Sequence, residues 1–358
     1  MTTTTAPQIR KLNSLRGIAA LVVVVAHFSG ITGWLGGFAG LGAGQLGVMV
    51  FFVLSGFLMG HLYVSQELGS RSLYRYAVAR FARVVPLFAA VVALSIVMPR
   101  IGFPAIGFNL ASRSEILSHV LTLDGKNILW TIPTELHFYV IFVAIWFVLR
   151  RFVGLRVAFL VTIVGLVVVL GFPRFRGELG SIAYDIRIVQ VIPYFVVGVM
   201  LALIYRRYRD HVPQSSLFVG ALAGIPLMYP LVFEEVFGFR HGLWNDPLVL
   251  VVVSAIFAVI LFGVPDESVI LSNPVGDFLG KISYSLYLLH VPIMSAVRDL
   301  GLPNTPAFVV FVSLSVVIAT VVFYAFELPM QKWLRGRLLA ETSRPAQTRS
   351  EVPRAEQI

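Results

Sequence analysis

The sequence predicts an all-α integral membrane protein, a polytopic helix bundle with about ten transmembrane helices. Of its 358 residues, 58% are hydrophobic and only 13% are charged. The mean hydropathy of +0.86 is well above what a water-soluble surface could tolerate. A hydrocarbon core about 30 Å thick needs roughly 20 apolar residues per helix, and such stretches recur along the chain. They lie near residues 15–33, 46–64, 84–99, 129–149, 155–172, 188–205, 216–233, 247–264, 282–298 and 307–326.

The basic residues predict the orientation of these helices in the membrane. An even number of spans puts both termini on one side, and that side, with its loops, carries 20 of the 28 basic residues. By the positive-inside rule, we expect both termini to be cytoplasmic. Residues 1–340 are expected to form one transmembrane domain. The polar residues 341–358 are expected to form a disordered cytoplasmic tail.

Charge and cysteine content exclude several classes of function. The net charge of +10 occurs in a very apolar chain, where arginines anchor loops against anionic lipid, so nucleic acid is not an expected partner. The chain contains no cysteine, which excludes disulfides, thiolate metal sites and an acyl-cysteine intermediate. The seven histidines are not accompanied by a spaced set of carboxylates, and we expect no metal site.

The first span carries two ionisable residues, Arg16 and His27. Eleven residues correspond to three helical turns plus about 20°, so both side chains share one face, about 16 Å apart along the axis. A charged side chain inside a membrane costs roughly 2.5–3.5 kcal/mol, and those present usually face a cavity. Imidazole suits general-base catalysis at neutral pH. The structural alternative is an interfacial arginine and a histidine bonded to a neighbouring helix.

The fourth span carries Glu135, the costliest residue to bury in this part of the chain. Thr131 and Tyr139 share its helix face at four-residue spacing, whereas His137 lies about 200° away and is expected to be structural. A partner would offset the cost of burial. We expect that partner to be His27, which is predicted to lie at a similar depth.

Four arginines precede the third span. Arg80 and Arg83 have i, i+3 spacing on one face, and two adjacent guanidiniums can clamp a phosphate group. For Arg71 and Arg75 we favour a lipid anchor.

The ninth span places Ser283, Tyr287 and His290 on one helix face. Such a row of polar side chains forms either a seam between helices or the lining of an acceptor pocket.

These segments resemble the acyltransferase-3 family of bacterial membrane O-acyltransferases, which acetylate cell-surface carbohydrates. Five boxes in order carry the resemblance: Arg16 with His27, the Phe-Phe-x-Leu-Ser-Gly-Phe run of residues 51–57, Arg80 with Arg83, the Trp-to-Tyr box of residues 130–139, and residues 283–292. Each box alone is weak, whereas five in order are specific. Asn13, Thr131 and Leu136 depart from the residues usual in the family at those positions. The last departure leaves Glu135 as the single carboxylate of its box.

The resemblance implies an acyl-CoA donor, expected to be acetyl-CoA, and a carbohydrate or lipid-linked glycan acceptor, with no permanently bound cofactor. It also implies a multi-pass protein of the bacterial inner (cytoplasmic) membrane, in contact with membrane lipids. Many relatives carry a further C-terminal hydrolase-like domain that this chain lacks, so transfer is expected to finish within the membrane domain. The expected roles are catalysis by His27 and Glu135, donor binding by Arg16, Arg80 and Arg83, and an acceptor pocket lined by Tyr139, Ser55, Ser283, Tyr287 and His290.

In the expected mechanism, His27 removes a proton from the acceptor hydroxyl while Glu135 orients the imidazole. An acyl-enzyme on His27 or Ser55 remains open. A secondary transporter or flippase of a lipid-linked sugar would also bury such residues near the midplane, and a structural subunit is a third alternative. The sequence does not identify the acceptor sugar, and it does not distinguish acetyl from a longer acyl chain.

Overall fold

The computed structural model describes residues 9–103, 107–151 and 187–340, with Asn245 described by its backbone only. Every regular element within these ranges is a helix. The helices of eight or more residues, apart from one 3-10 segment treated below, are α1 Arg10–Thr32, α2 Ala43–Tyr63, α3 Ser70–Arg100, α4 Arg113–Val120, α5 Thr131–Arg151, α6 Arg187–Tyr208, α7 Pro230–Phe237, α8 Pro247–Ala258, α9 Pro274–Arg298, α10 Asn304–Val322 and α11 Leu328–Ala340.

Six helical segments among the described residues are long and apolar enough to cross a membrane. They are Arg10–Thr32, Ala43–Tyr63, Ser70–Arg100, Asn127–Arg151, Arg187–His211 and Asn304–Ala340. The prediction of an all-helical membrane protein is therefore confirmed. The number of ten spans and the cytoplasmic termini stay predictions. The span predicted near 155–172 and the tail 341–358 lie outside the described residues.

The span predicted near 216–233 differs from a continuous helix. A 3-10 segment, Ser216–Ala223, runs into a helical turn, Gly224–Leu227, and the chain then bends by 92° before α7. The bend occurs at Tyr229, whose backbone is extended (φ −60°, ψ 132°) and which precedes Pro230. Proline lacks an N–H group and disfavours the helical conformation of the residue before it, so a single straight helix is excluded here.

Glycines allow the central helices to pack at short distances. A Cβ at Gly56 in α2 would overlap the carbonyl oxygen of Phe195 in α6, and one at Gly198 in α6 would overlap the carbonyl oxygen of Val53. A Cβ at Gly280 in α9 would likewise overlap the backbone of α1. Small residues at helix crossings allow this close approach within a membrane. These contacts hold α2 against α6 and α1 against α9.

Two further features connect distant parts of the chain. Nζ of the fully buried Lys11 donates hydrogen bonds to the carbonyl oxygens of Leu261 (2.7 Å) and Val264 (2.5 Å) and forms an ion pair with Asp266 at 3.0 Å. The start of α1 is thus fixed to the segment that follows α8.

A π-helical turn, Phe323–Glu327, joins α10 to α11 and buries Glu327, which is 5% exposed. π-helical turns are frequent at functional sites.

Candidate functional site

Two adjoining cavities lie among α1, α2, α3, α5 and α9. The first, here the Glu135 cavity, has an empty volume of about 710 Å³ including its open mouth. Its polar lining residues are Arg16, Ser55, Arg80, Arg83, Thr131, Glu135, Tyr139, Ser283, Tyr284 and Tyr287. The second, here the Glu327 cavity, has an empty volume of about 1170 Å³ and is lined by polar residues that include Asn13, Arg16, His61, Arg80, Arg83, Lys281, Glu327 and Gln331.

The three arginines predicted to bind the donor lie where the two cavities meet. Arg16, Arg80 and Arg83 line both of them. Nη2 of Arg80 donates a hydrogen bond to the hydroxyl of Tyr63 at 3.0 Å, and its guanidinium lies 5.4 and 5.9 Å from the ring centroids of Tyr63 and Tyr139. Within the described parts of the chain, the guanidiniums of Arg16 and Arg83 form no hydrogen bond or ion pair. Two unpaired cations and one held cation therefore face this junction, an arrangement suited to an anionic ligand.

Glu135 lines the first cavity, and its partners differ from the prediction. Its Oε1 accepts hydrogen bonds from the Ser55 hydroxyl at 3.1 Å and from the Tyr139 hydroxyl at 2.5 Å. Neither partner is His27, so the expectation that Glu135 orients His27 is wrong for this structure. The reason is local geometry: Tyr139 is one turn away on the same helix face, and Ser55 faces Glu135 from α2.

His27 instead pairs with His290 of α9. Nδ1 of His27 and Nε2 of His290 are 3.0 Å apart, and the ring centroids are separated by 5.1 Å. Nδ1 of His290 donates a hydrogen bond to the carbonyl oxygen of Tyr287 at 2.8 Å. His290 is fully buried, whereas His27 is partly exposed. This pair lies beyond Tyr287, which lines the Glu135 cavity, and neither histidine lines that cavity.

The remaining predicted pocket residues form the wall between the cavity and the histidine pair. The hydroxyl of Thr131 donates to that of Tyr287 at 3.1 Å, and the Tyr287 hydroxyl donates to the carbonyl oxygen of Ile128 at 3.1 Å. Ser283 donates to the carbonyl oxygen of Gly280 at 2.9 Å. Ser283 and Tyr287 thus line the cavity as predicted, whereas His290, on the same helix face, does not.

Sequence reasoning missed Glu327. Its carboxylate accepts hydrogen bonds from Ser285 at 2.6 Å and from Gln331 at 3.1 Å, and it interacts electrostatically with Arg83 and Arg16. The signal was present, because this residue directly follows the last predicted apolar stretch, which ends at residue 326. Because a helix end normally lies in water, the sequence alone does not predict that this carboxylate is buried.

The arrangement has the parts that an acyl transfer from an anionic donor requires. Guanidiniums, hydroxyls and a carboxylate line the two adjoining cavities, and an imidazole pair lies next to Tyr287 of their wall. No group of three or more metal-ligating side chains occurs among the residues that the structure describes.

Comparison with known proteins agrees with this chemistry. A family model described as an acyltransferase domain matches residues 9–325. The peptidoglycan O-acetyltransferase OatA of Listeria monocytogenes is 24% identical over 357 residues, which cover 90% of this chain and 55% of that protein. The O-acetyltransferase OatA of Staphylococcus aureus is 25% identical over 357 residues, with 90% and 57% covered. The chain therefore spans little more than half the length of the curated relatives it matches. No solved structure matches it significantly.

Proposed function

Because the chain belongs to the acyltransferase-3 family, whose model matches residues 9–325, we propose that it is a membrane O-acyltransferase. It moves an acyl group, expected to be acetyl, from acyl-CoA to a hydroxyl group of a cell-surface glycan. The relatives named above include a peptidoglycan O-acetyltransferase, which makes a peptidoglycan-type sugar the first acceptor to test. The protein works in the bacterial cytoplasmic membrane, with about ten spans and both termini on the cytoplasmic side.

The observation that carries this proposal is the convergence of the separate sequence boxes on one passage. Arg16 from α1 and Arg80 and Arg83 from α3 meet where two cavities join, and Ser55, Glu135 and Tyr287 from three other helices line the space beyond them. Such a passage suits coenzyme A, which has an anionic nucleotide end and a long narrow arm that ends in the thioester. The guanidiniums hold the phosphates, and the arm extends into the Glu135 cavity.

In the proposed reaction, His27 is the general base. It takes the proton of the acceptor hydroxyl as the hydroxyl oxygen attacks the thioester carbonyl carbon. The carbon–sulfur bond then breaks, the acyl group remains on the acceptor oxygen, and the thiolate of coenzyme A leaves and takes up the proton. Since Tyr287 lies between the Glu135 cavity and the histidine pair, the proposal requires the Tyr287 side chain to move, so that the thioester at the end of the donor arm and the acceptor hydroxyl meet at His27.

Glu135 has a different proposed role from the one expected from sequence. It accepts hydrogen bonds from Ser55 and Tyr139 and interacts electrostatically with Arg16. It therefore holds the polar lining of the donor passage in place, and it partly balances the charge of the arginines when no donor is bound.

The test is transfer of label. Purified protein in proteoliposomes receives acetyl-CoA labelled in the acetyl group, together with a peptidoglycan fragment or a lipid-linked glycan as acceptor. We expect the unaltered protein to label the glycan. We expect His27→Ala to insert into the membrane normally but to transfer no label. If unmodified glycan crosses the bilayer and no label is transferred under any condition, the protein is a transporter and the proposal fails.

A further inference from the structure

The contacts of the two histidines assign a proton to each ring. Nδ1 of His290 lies 2.8 Å from the carbonyl oxygen of Tyr287. A carbonyl oxygen only accepts, so this nitrogen carries a hydrogen. A neutral imidazole has one protonated and one unprotonated nitrogen, and Nε2 of His290 must therefore be an acceptor.

The assignment then passes to His27. Its Nδ1 lies 3.0 Å from Nε2 of His290, and because that nitrogen is an acceptor, Nδ1 of His27 must donate. The contact with His290 thus places the hydrogen of His27 on Nδ1 and the lone pair on Nε2, and the backbone of Val23, one helical turn earlier, is a further hydrogen-bond partner of the ring. A general base needs such an unprotonated nitrogen directed at the acceptor hydroxyl.

We propose that His290 is the positioning residue of the active site, which fixes the tautomer and the ring orientation of His27 through the bond between the two rings. This inference rests on the proposed function, because it assumes that His27 is the base. His290 takes the place that a carboxylate has in hydrolase triads, with one difference: a neutral ring adds no negative charge within the membrane. The residue does not touch either substrate.

The surroundings of the pair support this role. His290 is fully buried, so water cannot replace its bond to His27. The two rings belong to α1 and α9, and these helices are in close backbone contact near Gly17 and Gly280, where a Cβ would meet the opposite helix. The distance between the rings is therefore set by the rigid crossing of the helices. Glu135, the other candidate for this role, is bonded to Ser55 and Tyr139 instead.

The experiment compares two substitutions of similar size. In His290→Gln, the side-chain carbonyl oxygen can still accept a hydrogen bond from His27, whereas His290→Met fills a similar volume and offers only a weakly accepting thioether sulfur. We expect His290→Met to lower kcat for acetyl transfer about 100-fold or more, the usual contribution of a correctly presented base, with KM for acetyl-CoA unchanged. We expect His290→Gln to stay within about tenfold of the unaltered protein.

A second readout does not depend on turnover. Nitrogen-15 NMR of histidine-labelled protein distinguishes protonated from unprotonated ring nitrogens, and His27→Ala identifies the signals of His27. We expect a protonated Nδ1 for His27 in the unaltered protein and in His290→Gln, and a mixture of tautomers in His290→Met. Elution as a single species in detergent and thermal unfolding show whether each variant is folded.

The outcomes separate this inference from the proposed function. Normal kcat in His290→Met, with His27→Ala inactive in the same assay, overturns the positioning role and leaves the proposed function intact. Equal loss in the Gln and Met variants also overturns it, because a hydrogen-bond acceptor then has no effect. Full activity of His27→Ala would reject the mechanism on which the inference rests.

Discussion

The hydroxyl of Ser285 donates a 2.6 Å hydrogen bond to Oε2 of Glu327, which connects α9 to the π-helical turn between α10 and α11. This bond fixes a buried carboxylate that lines the Glu327 cavity together with Arg16 and Arg83. A negative charge thus lies beside the cations that we assign to the donor phosphates. It weakens the attraction for an anion and partly offsets the mutual repulsion of the arginines when the site is empty.

The first prediction follows from that charge. Glu327→Gln keeps an acceptor for Ser285 and removes the negative charge near the arginines, so KM for acetyl-CoA should fall by about threefold or more, with kcat little changed. Initial-rate kinetics at varied acetyl-CoA measure both values. Glu235→Gln, at an exposed carboxylate of α7, is the control and should change neither. A rise in KM for Glu327→Gln would show that the carboxylate contacts the donor favourably.

The second prediction concerns the unpaired guanidinium of Arg83. Arg83→Gln should raise KM for acetyl-CoA about 10- to 100-fold, because a hydrogen bond between charged groups contributes about 1.5–3 kcal/mol. Arg75→Gln is a matched control on the same helix, since Arg75 is exposed and outside both cavities. Both variants are assayed with acetyl-CoA and with acetyl-pantetheine, which lacks the nucleotide phosphates. The loss should disappear with the shorter donor, and an equal loss with both donors would place Arg83 outside the phosphate site.

The third prediction distinguishes one-step transfer from an acyl-enzyme on Ser55. Ser55 donates a hydrogen bond to Glu135 at 3.1 Å, and Tyr139 donates a second one. Ser55→Ala therefore leaves the carboxylate with one donor, and kcat should fall by no more than about 100-fold, since one such bond contributes about 1.5–3 kcal/mol at most. Loss of a true nucleophile would cost about 10⁶-fold. Rapid-quench mass spectrometry of the protein should find no acyl group on residue 55, and a labelled serine there would refute the one-step route.

The fourth prediction tests the close packing of α2 against α6. Gly56→Ala should lower the stability of the protein by about 1–3 kcal/mol, because its Cβ would overlap the carbonyl oxygen of Phe195 and force the helices apart. Gly336→Ala is the control: a Cβ at this position of α11 meets nothing within 4 Å, and alanine is the better helix former. Thermal unfolding in detergent should show a lower Tm for the first variant and an equal or higher Tm for the second. Equal Tm values would mean that the crossing tolerates a methyl group.

Much of the site could be identified from the sequence, because buried ionisable residues are rare in apolar helices. Arg16, Arg80 and Arg83 were assigned to one donor region from helix spacing and the resemblance, and they line a common junction. Ser283 and Tyr287 were placed on one face and share a cavity wall. Periodicity within one helix fixes such relationships, since the angle between residues depends only on their separation.

Partners across helices could not be identified in the same way. Glu135 and His27 were paired because each needed a partner at a similar depth, yet depth alone does not fix the rotation of a helix about its axis. The break after residue 227 and the burial of Glu327 were missed for a similar reason. A proline bend and a π-helical turn redirect the chain, and their effect depends on the helices that receive the redirected segment.

The sequence by itself determined the membrane class, the helical architecture, the family and the groups that could carry out the chemistry. Each of these depends on composition or on spacing within a single helix. Only the tertiary structure decided that His27 pairs with His290 while Glu135 pairs with Ser55 and Tyr139. The physical reason is that a hydrogen bond about 3 Å long needs both helices at a fixed rotation and distance, and those are set by the close glycine contacts between helices far apart in the chain.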